Sequence, residues 1–206
     1  MSARRSAPPA AGRGRRLLVV AAVALVALAG AAAAHGERPP AVGSALDVLH
    51  RFDRSAVGAA DGVLPEGATV DDDLPGVTRL DPALLAALRR AAADAADAGV
   101  ELHVSSGWRS RAHQEQLLAE AVARYGSAEE AARWVARPEG SAHVQGDAVD
   151  VGPTAAMSWL AQHGAGYGLC PVYANEPWHY ELRPGADVDG CPPTYRDPTE
   201  DPRTHR

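Results

Sequence analysis

Residues 17–34, LLVVAAVALVALAGAAAA, are eighteen uncharged and almost wholly apolar residues. The preceding stretch, MSARRSAPPAAGRGRR, carries five Arg and no acid. A basic flank followed by an apolar run is the pattern of an export signal, to be set aside before any fold is read. Residues 1–34 are therefore read as a signal peptide cut near Ala34, where the Ala-rich end fits small-residue cleavage. The alternative is an uncleaved membrane anchor through residues 17–34, since eighteen residues lie at the lower edge of a spanning helix. Either way the Arg-rich flank stays in the cytoplasm and the rest is extracytoplasmic, secreted or anchored to the outer face of the cytoplasmic membrane. No Cys follows the apolar run, which argues against a lipoprotein.

Export changes how the rest is read. The chain has 206 residues, enough for one domain with a real core. Beyond residue 34, 15 Arg stand against 26 Asp and Glu, a formal charge of −11. So acidic a domain is a poor partner for nucleic acid or anionic lipid. Only two Cys are present, Cys170 and Cys191. In an oxidising compartment such a pair reads as a disulfide. Zinc ligation is the rival reading, weakened because neither lies in a Cys-x-x-Cys pair.

Residues 35–45 read as a linker and residues 46–191 as the folded domain. DPALLAALRRAAADAADAG predicts a helix, with Asp81 as cap, Pro82 in the first turn and Gly99 as terminator. Val100–Ser106 alternates and predicts a strand. A helix is expected over Ser110–Tyr125, and a third from the Ser127/Glu130 capping box to about Arg137. DAVDVG and Trp178–Leu182 read as strands, and PTAAMSWLAQHG as a helix. Trp134 and Trp159 sit at helical positions and are assigned to the core. Residues 192–206, rich in Pro and Asp, are expected to be a flexible tail. Helices mixed with short strands, without regular β-α-β alternation, give an α+β domain.

The stretch GSAHVQGDAVDVG, Gly140–Gly152, carries the chemistry. A catalytic zinc takes three protein ligands and keeps one position open. His143, Asp150 and, in NEPWHYE, His179 suit that role. The seven-residue step from His143 to Asp150 cannot serve one metal from a straight strand. It can if His143 lies in a loop folding back at Gly146, which permits the turn. Glu176, three residues before His179, is placed to act as the base that takes a proton from attacking water and returns it to a leaving amine. There is no His-Glu-x-x-His helix, so this is no ordinary zincin. Amide hydrolysis develops an oxyanion, and Arg109 in SSGWRSRAHQ, after the turn at Gly107, can stabilise it. Arg111 is assigned to the solvated helix face, Asp147 to structure, and Glu181 to the surroundings of the ligands or the surface.

Together these motifs resemble the D-Ala-D-Ala metallopeptidases, the family of VanY-type carboxypeptidases and VanX-type dipeptidases. SAHVQGDAVD is similar to their Ser-x-His-x-x-Gly-x-Ala-x-Asp signature, with Ser141, His143, Gly146, Ala148 and Asp150 in place. EPWHYE resembles the second signature, SSGWRSRAHQ the Ser-Gly-aromatic-Arg-Ser element, and WLAQHGAGYGL the helix and Tyr-Gly turn between them. The resemblance spans about Leu80 to Leu182. It implies a Hedgehog/D-Ala-D-Ala peptidase-like fold with a central, mostly antiparallel sheet flanked by helices. It implies one catalytic Zn2+ on His143, Asp150 and His179, with Glu176 as base and acid and Arg109 on the oxyanion or substrate. Ser141 and Gln114 would bind the substrate's terminal carboxylate and peptide. The segment between the Tyr-Gly turn and EPWH is shorter than usual in the family and contains Cys170 and Pro171.

The expected function is that of an exported zinc D-alanyl-D-alanine carboxypeptidase acting on peptidoglycan stem peptides that end in D-Ala-D-Ala. The alternatives are a peptidoglycan endopeptidase or L,D-carboxypeptidase of the same family, or a non-catalytic zinc-stabilised wall-binding domain. The presence of both Glu176 and Arg109 argues against the last, which needs neither.

Overall fold

The structure is a computed structural model, and it describes residues 57–205. The expected signal or anchor, the linker and the start of the domain lie outside the described residues. Among the described residues no helix is long and apolar enough to cross a membrane.

After a short turn α1 (Pro75–Thr78) comes the main helix, α2 (Pro82–Asp97). Asp81 caps it as the sequence predicts, its carboxylate accepting from the Ala83 and Leu84 amides at 2.9 and 3.0 Å. Leu84, Ala87, Leu88, Ala91 and Ala95 form its buried stripe at helical spacing. Leu84 and Leu88 are fully buried, and each contributes roughly 1.5–3 kcal/mol of apolar burial.

The strands are β1 (His103–Ser106), β2 (Ala148–Gly152), β3 (Leu169–Pro171) and β4 (His179–Leu182). They form one sheet in the order β1-β2-β4-β3, and every pairing is antiparallel. The α+β class and the antiparallel sheet are as expected. Side chains alternate across the pleat. Val149, Val151 and Tyr180 go to the core, where α2 and α6 (Thr154–His163) contribute Leu84, Leu88 and Leu160. Asp150, His179 and Glu181 occupy the alternate positions of β2 and β4.

Between β1 and β2 lie α3 (Arg111–Tyr125), α4 (Ala128–Ala132) and the single turn α5 (Ala142–Gln145). A third helix was expected to reach Arg137, but α4 ends at Ala132. Trp134 therefore leaves the helix and is no core residue: it is 38% exposed and stacks on Tyr125, ring centroids 5.7 Å apart. Trp159 does pack against the core, partly buried.

The last described segment departs most from expectation. After α7 (Ala186–Asp189), residues 192–205 are folded down rather than flexible. Cys191 is bridged to Cys170 of β3, tethering the segment at its start. Tyr195 pairs with Tyr173 through backbone bonds of 2.9 Å to Val172 O and 2.8 Å from the Ala174 amide. Asp197 caps the 3-10 turn Pro198–Glu200, and a second 3-10 turn spans Pro202–His205. Asp197 and Asp201 are 2% and 0% exposed. Composition suggested disorder because it contains few apolar residues; the segment is held instead by a covalent bridge and buried ion pairs.

Candidate active site

The sheet register does most of the positioning. Asp150 and His179 are direct cross-strand partners of β2 and β4, and Ser106 of β1 is paired with Asp150 on its other side. Directly opposed residues on one face have neighbouring side chains. His143 is brought to this row by α5. Ser141 caps the turn, its Oγ accepting from the Val144 amide at 3.4 Å. Gly146 ends it at φ 83, a left-handed conformation natural to glycine. Its carbonyl accepts from the Asp81 amide at 2.9 Å, locking the bend to the base of α2. The expected fold-back at Gly146 is present, with a helical turn ahead of it rather than a loop.

Glu176 and His179 flank a tight turn. The His179 amide donates to Glu176 O at 3.0 Å with Pro177 at the position proline favours. Both side chains line one cleft of about 450 Å³, together with His143, Asp150, Arg109, Gln114 and Ser141. All seven sequence-nominated side chains thus come together around one cavity.

His143, Asp150 and His179 are buried, and each offers a ligand atom within 4.8 Å of the other two. His143 Nδ1 lies 2.8 Å from Gly107 O, a carbonyl that can only accept. That contact puts the proton on Nδ1 and the lone pair on Nε2. His179 Nε2 lies 3.4 Å from the Glu181 carboxylate, the matching arrangement with the lone pair on Nδ1. These two lone-pair nitrogens are 3.2 Å apart, and Asp150 Oδ1 is 3.3 and 3.2 Å from them. Three acceptors converging on one point require a cation or a proton among them. The donor set fits a tetrahedral divalent metal with one open position.

The electrostatics agree. Burial, with the nearby Arg109, pushes His143 below its ordinary range. Burial opposes the Asp150 carboxylate, but His143, His179 and Arg109 around it hold its carboxyl well below that range. For His179 burial is outweighed by bonds to Asp150 and Glu181, which push it up to about 9 without a metal. Glu176 shifts the opposite way to Asp150: burial drives its carboxyl up to about 7. Its Oε2 is 4.0 Å from His179 Nδ1, and its buried Oε1 has no hydrogen-bond partner among the described residues.

Arg109 is held on three sides. It donates from Nε to Ser106 Oγ at 2.8 Å, from Nη1 to Gln114 Oε1 at 3.2 Å and from Nη2 to Asp150 Oδ2 at 2.8 Å. Further N–H groups on Nη1 and Nη2 remain for a guest in the cleft. Gln114 is 1% exposed and gives its amide to Ala136 O at 2.9 Å, so both its ends are engaged within the protein. Ser141 is likewise occupied as a cap. Arg111 pairs with Glu139 on the surface, as expected of a solvated position. Asp147 is exposed.

Sequence reasoning missed several participants. Tyr173 packs its ring 5.0 Å from that of His179. Glu181 was left between the surroundings of the ligands and the surface; at 2% exposed it belongs to the former. Asp201 and Arg203 gave no signal, being remote in sequence. Tyr125, and Trp134 that was assigned to the core, line the cleft wall.

A family model described as VanY, D-alanyl-D-alanine carboxypeptidase, matches residues 77–184. Among solved structures, the chain is similar to VanYB in complex with D-alanine-D-alanine, at 27% identity over 58% of this chain and 80% of that one, TM-score 0.50. It is also similar to the LdcB LD-carboxypeptidase, at 22% identity over 66% and 75% of the two chains, TM-score 0.51. A VanY D,D-pentapeptidase from a VanB-type resistance cassette, in complex with Zn(II), is 27% identical over 50% and 72%, TM-score 0.48. No curated protein matches.

Proposed function

The chain belongs to the VanY family of D-alanyl-D-alanine carboxypeptidases and is an enzyme of that class, and from this we propose that it is an exported zinc D,D-carboxypeptidase that removes the terminal D-Ala from peptidoglycan stem peptides. The observation that carries the proposal is the convergence of His143, Asp150 and His179, beside a buried carboxyl with a free oxygen. D-alanine-D-alanine as the guest is supported by its presence in VanYB. Export is supported by residues 1–34 of the sequence.

In this reading His143, Asp150 and His179 would hold one Zn2+. When bound, the ion would supply Lewis acidity, making water a stronger acid and polarising a peptide carbonyl. Glu176 takes the proton of the attacking water on its free Oε1 and returns it to the departing D-Ala amine. A carboxyl pushed up to about 7 is suited to both accept and return a proton near neutral pH. Arg109 spends three contacts on its own orientation, so its remaining N–H groups are fixed when they meet the substrate's negative charge. Gln114 acts on substrate through Arg109, since its own polar atoms are taken.

Incubation of the purified protein with a stem pentapeptide and a tetrapeptide, with and without a chelator, checks this by product mass. The expected result is loss of one Ala from the pentapeptide, abolished by chelation and restored by zinc. Trimming of the tetrapeptide alone would assign L,D specificity instead. Zinc uptake without cleavage of any muropeptide would point to a binding domain.

A further inference from the structure

His179 has two close neighbours besides the metal set, and both are anchored in the segment that follows the bridge at Cys191. Glu181 accepts from Arg203 Nη1 at 2.6 Å and from Nη2 at 3.2 Å. Tyr173, whose ring lies against His179, donates its hydroxyl to Asp201 Oδ2 at 3.0 Å. Arg203 Nε donates in turn to both Asp201 oxygens at 3.0 Å. One guanidinium thus spans two carboxylates, a task its planar fork suits and an ammonium does not. Arg183 adds a second cation at 3.0 Å from Glu181. Two arginines thus face two buried carboxylates behind His179. Glu181 can then accept the Nε2 proton of a neutral imidazole and leave Nδ1 its lone pair.

The segment is built into the domain. Arg133 pairs with Asp197 at 3.2 Å, and Asn175 Nδ2 reaches Arg133 O at 2.8 Å. Gly140 is so close to the second 3-10 turn that a Cβ there would lie 2.5 Å from Thr204 O. Residues 197–203 lie beyond residues 77–184, the span the family model matches.

We propose that residues 197–203 form the outer support of the metal centre, with Arg203 acting through Glu181, and Asp201 through Tyr173, as positioning residues that set the ring and tautomer of His179. The proposal rests on the zinc reading above. Hydrogen-bonded partners behind a ligating imidazole fix its orientation, and their loss costs about 10–100-fold in metal affinity.

The test measures zinc affinity by competition with a chromophoric chelator, and the visible absorption of the cobalt(II)-loaded protein, on the full chain. Arg203→Ala and Glu181→Gln should each weaken zinc by about 10–100-fold and alter the cobalt bands. Arg203→Lys should fall between, keeping a charge but losing the fork. Arg89→Ala removes an exposed ion pair with Asp71, outside this segment, and should change nothing. A thermal melt of each metal-free variant reports folding, and if Arg203→Ala does not fold, the isosteric Glu181→Gln carries the test. Parental zinc affinity and cobalt bands in the folded variants would overturn the proposal while leaving the zinc site standing. A parent protein that takes up neither metal would defeat the zinc reading itself, and this inference with it.

Discussion

Glu176 loses more by burial than its neighbours return. His179 and Arg109 draw its carboxyl down, Asp150 and Asp197 push it up, and burial outweighs them all. Its Oε1, unbonded among the described residues, supports the proposed role of moving a proton rather than holding structure. Glu176→Gln is expected to retain zinc and to lose about 10²–10⁴-fold in kcat, read by steady-state kinetics beside metal analysis. Normal turnover in that variant would remove Glu176 from the role of base. The contrast with Gln114 shows what a sequence discloses at this scale. His143, Asp150, His179 and Glu176 could be nominated because their chemistry is intrinsic to the side chain and their spacing is short. Gln114 and Ser141 were nominated as substrate contacts from resemblance. Whether a polar atom faces a guest or is already bonded depends on Ala136 and Val144, and their placement is tertiary.

At the scale of elements, the turn α5 decides whether His143 meets β2. Only Gly146 combines the left-handed φ with room beside Arg79: a Cβ there would lie 2.6 Å from Arg79 O. Gly146→Ala should cost at least about 1–2 kcal/mol from the backbone conformation alone. It should lower the melting temperature and weaken zinc together, because the same bend carries the ligand. An unaltered melt and metal titration would show that the bend is dispensable. The bend was legible because Gly interrupts a short polar stretch. The helical turn before it was not, since four residues hold no period to detect. Likewise the alternation from Val100 outruns the strand, which begins only at His103, where β2 offers a partner. Trp134 was misplaced because a capping box announces where a helix starts and says nothing of where it stops.

At the scale of the molecule, buried ion pairs join the last segment to the sheet, and they are expected to make the domain sensitive to acid. Burial disfavours the Glu181 carboxylate, but bonds from His179 and Arg203 hold its carboxyl down at about 2, below the 4.5 of a free glutamate. A folded value below the unfolded one adds stability above about pH 4.5, and that stability is lost as pH falls toward 2. Asp201 is shifted in the same direction, Arg203 and Tyr173 overcoming its burial. The urea midpoint of the metal-free protein should therefore fall steeply across this window, and less steeply in Glu181→Gln. Equal slopes in the two proteins would mean that the acid sensitivity resides elsewhere.

Arg203 follows Glu181 by 22 residues along the chain. A polypeptide is made and exported from its N-terminus, so the order in which parts arrive is set by their numbering. In the proposed export, His143, Asp150, Glu176 and His179 would reach the far side of the membrane first, and the guanidinium proposed to brace the fourth of them would come afterwards. There would thus be an interval in which the proposed catalytic groups are all present and the centre is unfinished. A premature stop or a protease cut after Cys191 would prolong that interval indefinitely, yielding a product with every signature residue intact and its imidazole unbraced.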